Sequence, residues 1–172
     1  GDTLDGQIGL RALRLETRVS AAQPTGIPAI DEGSTNEELL PSASLRWRPV
    51  DDIQLRLAVS RTVTRPNFAD LIPAILLGAP PPGGVGTPSA PFPATGGNPF
   101  LQPFESWNYD AGIEYFFARA GFASLTVFRR DLSGFFQPGV IDVEDPTLGL
   151  IRINTIANSG EGRIDGAEFQ FQ

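Results

Sequence analysis

Asp110 and Glu114 are the first residues to weigh for chemistry. They lie four apart on one side of the extended segment Trp107–Phe117, and two facing carboxylates are what a glycoside hydrolase uses. Such a pair needs surroundings that push its two pKa values apart, and neither those surroundings nor a long substrate cleft is evident around WNYDAGIEYFF. Arg61 and Arg65 stand at the head of a long connection. They could hold an anionic ligand, or Arg65 could brace the base of the loop against Asp70. Asp131, in an Arg-Arg-Asp run, reads as a loop anchor for Arg129 or Arg130. Asp142, Glu144 and Asp145 offer hard oxygens of the kind that bind calcium, but not at EF-hand spacing. Those three, and Asp31, Glu32, Glu37 and Glu38, read better as solvated acidic loops. The run GGVGTPS lacks the lysine of a phosphate-binding loop. Phe92, Phe100 and Phe104, in the Pro/Gly-rich stretch Ala79–Phe104, could stack on a sugar or another apolar ring face. The competing reading of that stretch is a solvated low-complexity loop with polyproline segments.

Composition removes other classes. The 172 residues contain no Cys and no His, so thiol chemistry, a thiolate site and the commonest general base are excluded. No catalytic, metal or cofactor site is expected. The formal charge of −7 argues against nucleic acid as a partner. No apolar run approaches the roughly 20 residues of a membrane helix, and the greasiest helical candidate, Leu71–Leu77, is broken by Pro73. The chain does not begin with Met and reads as a piece of a longer or processed protein.

The elements that would position these residues are strands. Six segments alternate apolar and polar residues: Gly6–Arg18, Ser42–Arg48, Ile53–Ser60, Trp107–Phe117, Phe122–Arg130 and Ile164–Gln172. Phe122 and Phe128 break the pattern by falling on the polar side of the fifth. One greasy face and one polar face fit a soluble sheet over a core, and equally a barrel wall between lipid and water. The connections separate the two. Pro49–Asp52 and the link near Ala118–Gly121 are hairpin-sized, whereas Ser20–Leu40, Thr62–Ser106 and Asp131–Arg163 read as long loops. Long loops count against a sandwich, and short turns at one end with long loops at the other match an outer-membrane barrel. Aromatic residues gather at both ends: Trp47, Tyr115, Phe117, Phe169 and Phe171 near the short turns, Trp107 and Tyr109 opposite.

Four stretches then carry a family resemblance. Leu40–Pro66 (LPSASLRWRPVDDIQLRLAVSRTVTRP) is similar to a hairpin of TonB-dependent outer-membrane receptors that leads into an extracellular loop. Asn98–Tyr109 (NPFLQPFESWNY) resembles the return of that loop to the membrane. Phe128–Phe136 (FRRDLSGFF) and Asn158–Gln172 (NSGEGRIDGAEFQFQ) resemble the two motifs that follow, in the family's order. The resemblance implies an all-β fold: about six antiparallel strands of a larger transmembrane barrel, with short periplasmic turns and long extracellular loops. Residues 1–172 would be partial barrel, since nothing resembles the plug domain or the TonB box, and the chain stops at Gln172 without the usual aromatic end. The implied function is energised uptake of a scarce solute, such as a siderophore or carbohydrate, across the outer membrane of a Gram-negative bacterium. The implied partners are outer-membrane lipid, the rest of the barrel with its plug, the TonB complex acting through that plug, and the small solute. A soluble secreted β-sandwich binding module is the alternative.

In the barrel reading Leu45, Trp47, Leu55, Leu57, Ile113 and Tyr115 face lipid, and Arg65, Phe92, Phe100 and Phe104 are the ligand-facing candidates of the extracellular loop. An Arg placed at Leu55 would be costly, and one at Gln54, on the opposite face, nearly neutral.

Overall fold

The computed structural model describes residues 3–21, 30–117 and 121–172. The chain forms β1 (Leu4–Ala21), β2 (Ile30–Val50), β3 (Ile53–Thr64), a single helical turn α1 (Phe68–Leu71), β4 (Leu76–Leu77), β5 (Phe92–Thr95), β6 (Phe104–Phe117), β7 (Gly121–Asp145) and β8 (Gly149–Phe171). All eight strands belong to one curled sheet, in the order β1-β2-β3-β6-β7-β8-β5-β4. The six long strands are antiparallel neighbours, and the short β5 adds to β8 in parallel. No second sheet covers either face among the described residues, which removes the sandwich.

The register explains why the alternation matters. Leu4, Trp47, Leu55, Ile113, Leu125 and Phe169 lie in one row across the six long strands. The next row on the same face is Gly6, Leu45, Leu57, Ala111, Val127 and Ala167. A one-residue slip of any strand would turn its apolar set to the other face. Every large member of these two rows is at least part-exposed, with Leu45 at 41% and Phe169 at 72%. This apolar face is therefore unpartnered.

The opposite face is polar and bonded across strands. Arg48 Nε donates to Gln54 Oε1 at 2.9 Å, Gln54 Nε2 donates to the Glu114 carboxylate, and Arg56 Nε meets the other Glu114 oxygen at 3.0 Å. Arg46 pairs with Asp5 at 2.7 Å, and Arg130 with Asp110 at 2.8 Å. Gln54 is 4% exposed and central to this network, so an Arg there would displace buried hydrogen bonds and is not neutral. The two phenylalanines that broke the pattern have local partners. Phe122 packs on Phe116 at 5.3 Å, and Phe128 lies over Gly166, where a β-carbon would stand 2.2 Å from its ring.

Two expected loops are strand. Most of Ser20–Leu40 extends β1 and β2, its described part running to Ala21 and from Ile30. Asp131–Arg163 is the upper half of a β7–β8 hairpin turning only at residues 146–148. Residues 118–120 of the other short link lie outside the described residues. Above Ser133 the partner strand β6 has ended, so β7 has a free edge and tolerates Pro138, which has no N–H to donate.

At Gly134 and Gly160 the ladder skips one pair, and both residues have positive φ, 76° and 80°. Only glycine adopts this backbone without steric cost. Below the skip, odd-numbered residues of β7 share the apolar face. Just above it Phe135 packs its ring on Phe104, on the polar face, at 5.1 Å. The glycine pair thus exchanges the facing of the hairpin where it leaves the wall. Gly160→Ala is expected to cost about 1–2 kcal/mol in this left-handed conformation. Hydrogen exchange of the hairpin amides between Phe135 and Ser159 should accelerate accordingly. Gly33→Ala, whose β-carbon would make only ordinary contacts at 3.8 Å, should leave exchange unchanged.

Candidate functional site

The segment between β3 and β6 returns over the long-loop end of the sheet, and five features fasten it there. β5 pairs with Ile151–Asn154 of β8. Phe92, Ala94, Ile75, Ile151 and Ile153 form a small core, and Leu71 and Leu101 form a second with Val19 of β1, flanked by Phe136 and Ile156. Asn98 Nδ2 donates to the Ile156 carbonyl at 3.0 Å while its Oδ1 accepts from the Phe100 amide at 3.0 Å. Asn158 clamps the other side: its Oδ1 accepts from the Gln102 amide at 2.7 Å, and its Nδ2 donates to the Gln102 carbonyl at 2.8 Å and to the Gly134 carbonyl at 3.1 Å. Both asparagines belong to the motif stretches, and their amides here serve as strand-like partners for loop backbone. Burying those loop groups without partners would cost about 1–3 kcal/mol each.

Beneath this segment lies an open cavity of about 470 Å³, lined among others by Leu15, Thr17, Asn36, Arg65, Phe68 and Leu101. It combines apolar walls with a guanidinium and side-chain amide and hydroxyl groups, as small-molecule sites do. Arg65 forms an ion pair with Glu38 Oε2 at 3.5 Å, the limit of a hydrogen bond, and does not lie against Asp70, which instead accepts from Asn67 Nδ2 at 3.3 Å. Glu38 is no solvated loop residue. Its side chain is 6% exposed and its Oε1 has no partner among the described residues. Nothing in its sequence neighbourhood announces that burial.

The three expected aromatic contacts are not gathered. Phe92 is a core residue at 5% exposure, with no ring face open to a solute. Phe104 packs against Phe135, and only Phe100 is exposed. Phe68, which sequence reading passed over, is exposed at the Arg65 cavity.

Five of the other carboxylates singled out from the sequence are engaged. Glu114 and Asp110 each face an arginine, as described above. Asp131 pairs with Arg163 at 2.8 Å, not with its sequence neighbours; Arg129 pairs instead with Asp165, and Arg130 with Asp110. Asp142 takes two bonds from Arg152, at 2.8 and 2.7 Å, and that hydrogen bonding holds its carboxyl below the usual value. Asp145 Oδ1 accepts from the Thr147 and Leu148 amides, both at 2.8 Å, closing the hairpin turn. No cluster able to hold a metal ion occurs among the described residues.

Asn158→Ala should free the Gln102 amide and carbonyl. The expected result is at least several-fold faster hydrogen exchange at Gln102, with the β3–β6 ladder unchanged.

The comparisons with known proteins agree with this architecture. No curated protein matches the chain. Among solved structures, the siderophore receptor PirA from Acinetobacter baumannii superposes with a TM-score of 0.66 at 21% identity, over 99% of this chain and 23% of that one. A mutant of the ferric enterobactin receptor PfeA from Pseudomonas aeruginosa gives 0.62 at 22% identity, over 94% and 24%. The hemophore receptor HasR of Serratia marcescens, in complex with its hemophore HasA and heme, gives 0.57 at 16% identity, over 98% and 28%. The chain therefore spans about a quarter of the length of these structures. The family described as TonB dependent receptor-like, beta-barrel matches residues 1–172, and the chain belongs to that family.

Proposed function

We propose that this chain is part of the wall and loops of an outer-membrane receptor that takes up a scarce solute using energy delivered through TonB. The observation that carries the proposal is the unpartnered apolar face across six strands, backed by a bonded polar face. In this reading Leu45, Trp47, Leu55, Leu57, Ile113 and Tyr115 touch hydrocarbon, and the polar network of Arg48, Gln54, Glu114 and Arg56 faces a lumen filled by water and plug.

The geometry of the apolar band supports it. Along the strands the first charged residue on that face is Asp165 on β8, Arg129 on β7, Glu105 on β6, Arg61 on β3, Glu37 on β2 and Arg14 on β1. That border climbs by six residues between the β7–β8 pair and the β1–β2 pair. At about 3.3 Å per residue and 4.8 Å per strand this is a slope of roughly 45°, the tilt of strands in membrane barrels. Phe117 and Trp107 mark the two ends of the band on β6, and the distance between them, corrected for that tilt, is about 23 Å, close to the roughly 25 Å height of the lipid-facing band in such barrels. β1 and the lower part of β8 have no outer neighbour among the described residues. Further strands of the same barrel would pair with them, because a backbone edge cannot stay bare in lipid.

The cavity at Arg65, Asn36 and Phe68 is the proposed contact with the solute, with Phe100 exposed nearby on the same returning segment. A guanidinium over apolar walls favours a solute that combines an anionic or carbonyl oxygen with a flat apolar part. Siderophores and heme, named for the neighbouring structures, are of that kind.

In the assembled receptor, Leu57→Arg should destabilise the folded barrel by about 2–4 kcal/mol in lipid vesicles, whereas Ser44→Arg, on the exposed polar face, should be tolerated. Unfolding titrations in vesicles measure both. Equal effects at the two positions would contradict the assignment of faces.

A further inference from the structure

Glu38 is the carboxylate that the fold satisfies least. Its side chain is 6% exposed, its Oε2 meets Arg65 Nη2 at 3.5 Å, and its Oε1 is buried without a partner among the described residues. Ion pairs on the same face elsewhere in the wall are closer, at 2.7 Å for Arg46–Asp5 and 2.8 Å for Arg130–Asp110. The ladder shows what surrounds Glu38. Leu13 stands opposite it on β1, and the next pairs up that face are Leu15 with Asn36 and Thr17 with Ser34, all four at the Arg65 cavity. Arg11, one pair down the same face, makes no ion pair among the described residues. Glu16 and Arg18 also border the cavity, but they alternate with Leu15, Thr17 and the core residue Val19 and so belong to the other face. There Glu16 meets Arg14 at 3.5 Å, and the stem of Arg18 lies over Gly33. Arg65 and Glu38 therefore set the charge of the cavity.

Losing Arg65 would leave Glu38 a buried, unpaired charge, which is costly, so the guanidinium stays on Glu38 while a solute binds. Arg65 Nε and Nη1 have no partner among the described residues, and the side chain is 44% exposed. We propose, resting on the reading of this cavity as the solute contact, that Glu38 decides which oxygen the cavity accepts: it cancels the charge of Arg65, so that the neutral oxygen of an amide or ester is favoured over a carboxylate. A carbonyl oxygen at Nε or Nη1 is a dipole. It gains from the adjacent guanidinium and feels the more distant carboxylate only weakly, because charge–dipole energy falls faster with distance than charge–charge energy. A carboxylate at the same place meets the full repulsion of Glu38, in a site whose other walls are apolar or uncharged. A guanidinium without that neighbour would favour the opposite choice, since its planar fork matches a carboxylate. Because Glu38 Oε1 is buried, the residue acts on the solute by its field and not by contact.

The test titrates the assembled receptor with para-fluorobenzamide and para-fluorobenzoate, two probes of one shape that differ in charge, followed by fluorine NMR. Only the binding that is lost in R65Q is counted. The wild type should bind the amide about three-fold more tightly than the carboxylate. E38Q keeps the reach of the side chain and removes its charge. It should shift the ratio toward the carboxylate by about ten-fold, with a carboxylate affinity that falls as salt is added. E38D keeps the charge and should keep the wild-type preference. A misfolded fraction lowers the binding of both probes together and leaves their ratio unchanged, so it cannot mimic the shift. A wild type that prefers the carboxylate, an unchanged ratio in E38Q, or an equal shift in E38D would overturn the role of Glu38 and leave the cavity standing as a solute contact. Absence of any R65Q-sensitive binding of either probe refutes the cavity itself, and the role of Glu38 with it.

Discussion

The whole arrangement depends on one constraint: six strands share a register, so that each side chain's face is decided collectively. Backbone hydrogen bonds fix the rows, and the rows place Leu55 beside Trp47 and Ile113, and Ile113 beside Leu125. Once that is set, burying the backbone polar groups and separating apolar from polar side chains are achieved by the same ladder. The sheet then needs no core of its own beneath the apolar face. In the proposed wall, lipid against that face stabilises it, and the polar network around Gln54 and Glu114 suits the other face to water and protein.

The loop end obeys different physics. There, compact packing takes over and the period-two pattern lapses. Two small apolar clusters and a pair of asparagine amides hold the β3–β6 connection down onto β8 and β1. The glycine pair at Gly134 and Gly160 marks the transition, because it lets the hairpin turn its faces where the wall ends. Arg65 and Phe68 are presented to the cavity by a segment tied at several points along its length.

These two regimes explain what could be read in the sequence. The alternation in Trp107–Phe117 and Ile53–Ser60 was legible because each strand is flanked by neighbours along its length and separates an apolar face from a polar one. The upper parts of β7 and β8 were not, because Pro138, Gly139 and the adjacent Phe135–Phe136 break any period-two pattern, yet a two-stranded hairpin with a free edge accommodates them. Phe92 looked like a solute contact because it stands among prolines and glycines, but parallel pairing of β5 with β8 turns it into the core. The ion pairs were misassigned for a related reason. Asp131 and Arg65 have sequence neighbours of opposite charge, but Asp131 finds its partner across the ladder at Arg163, and Arg65, just past the end of β3, reaches Glu38 of β2. The motif asparagines were visible as motif residues without a mechanism. Only the fold shows that Asn98 and Asn158 serve backbone groups of a distant strand or loop.

The central claim is that alternate residues of β6 meet lipid and water. The chain has no Cys, so single cysteines at successive positions from Asn108 to Tyr115 can each carry a fluorophore in the assembled receptor. Quenching by brominated lipid is compared with quenching by aqueous iodide at each position. The account predicts strong lipid quenching at 109, 111, 113 and 115 and weak lipid quenching at 108, 110, 112 and 114. A profile without that two-residue period, or with its phase reversed, would contradict it.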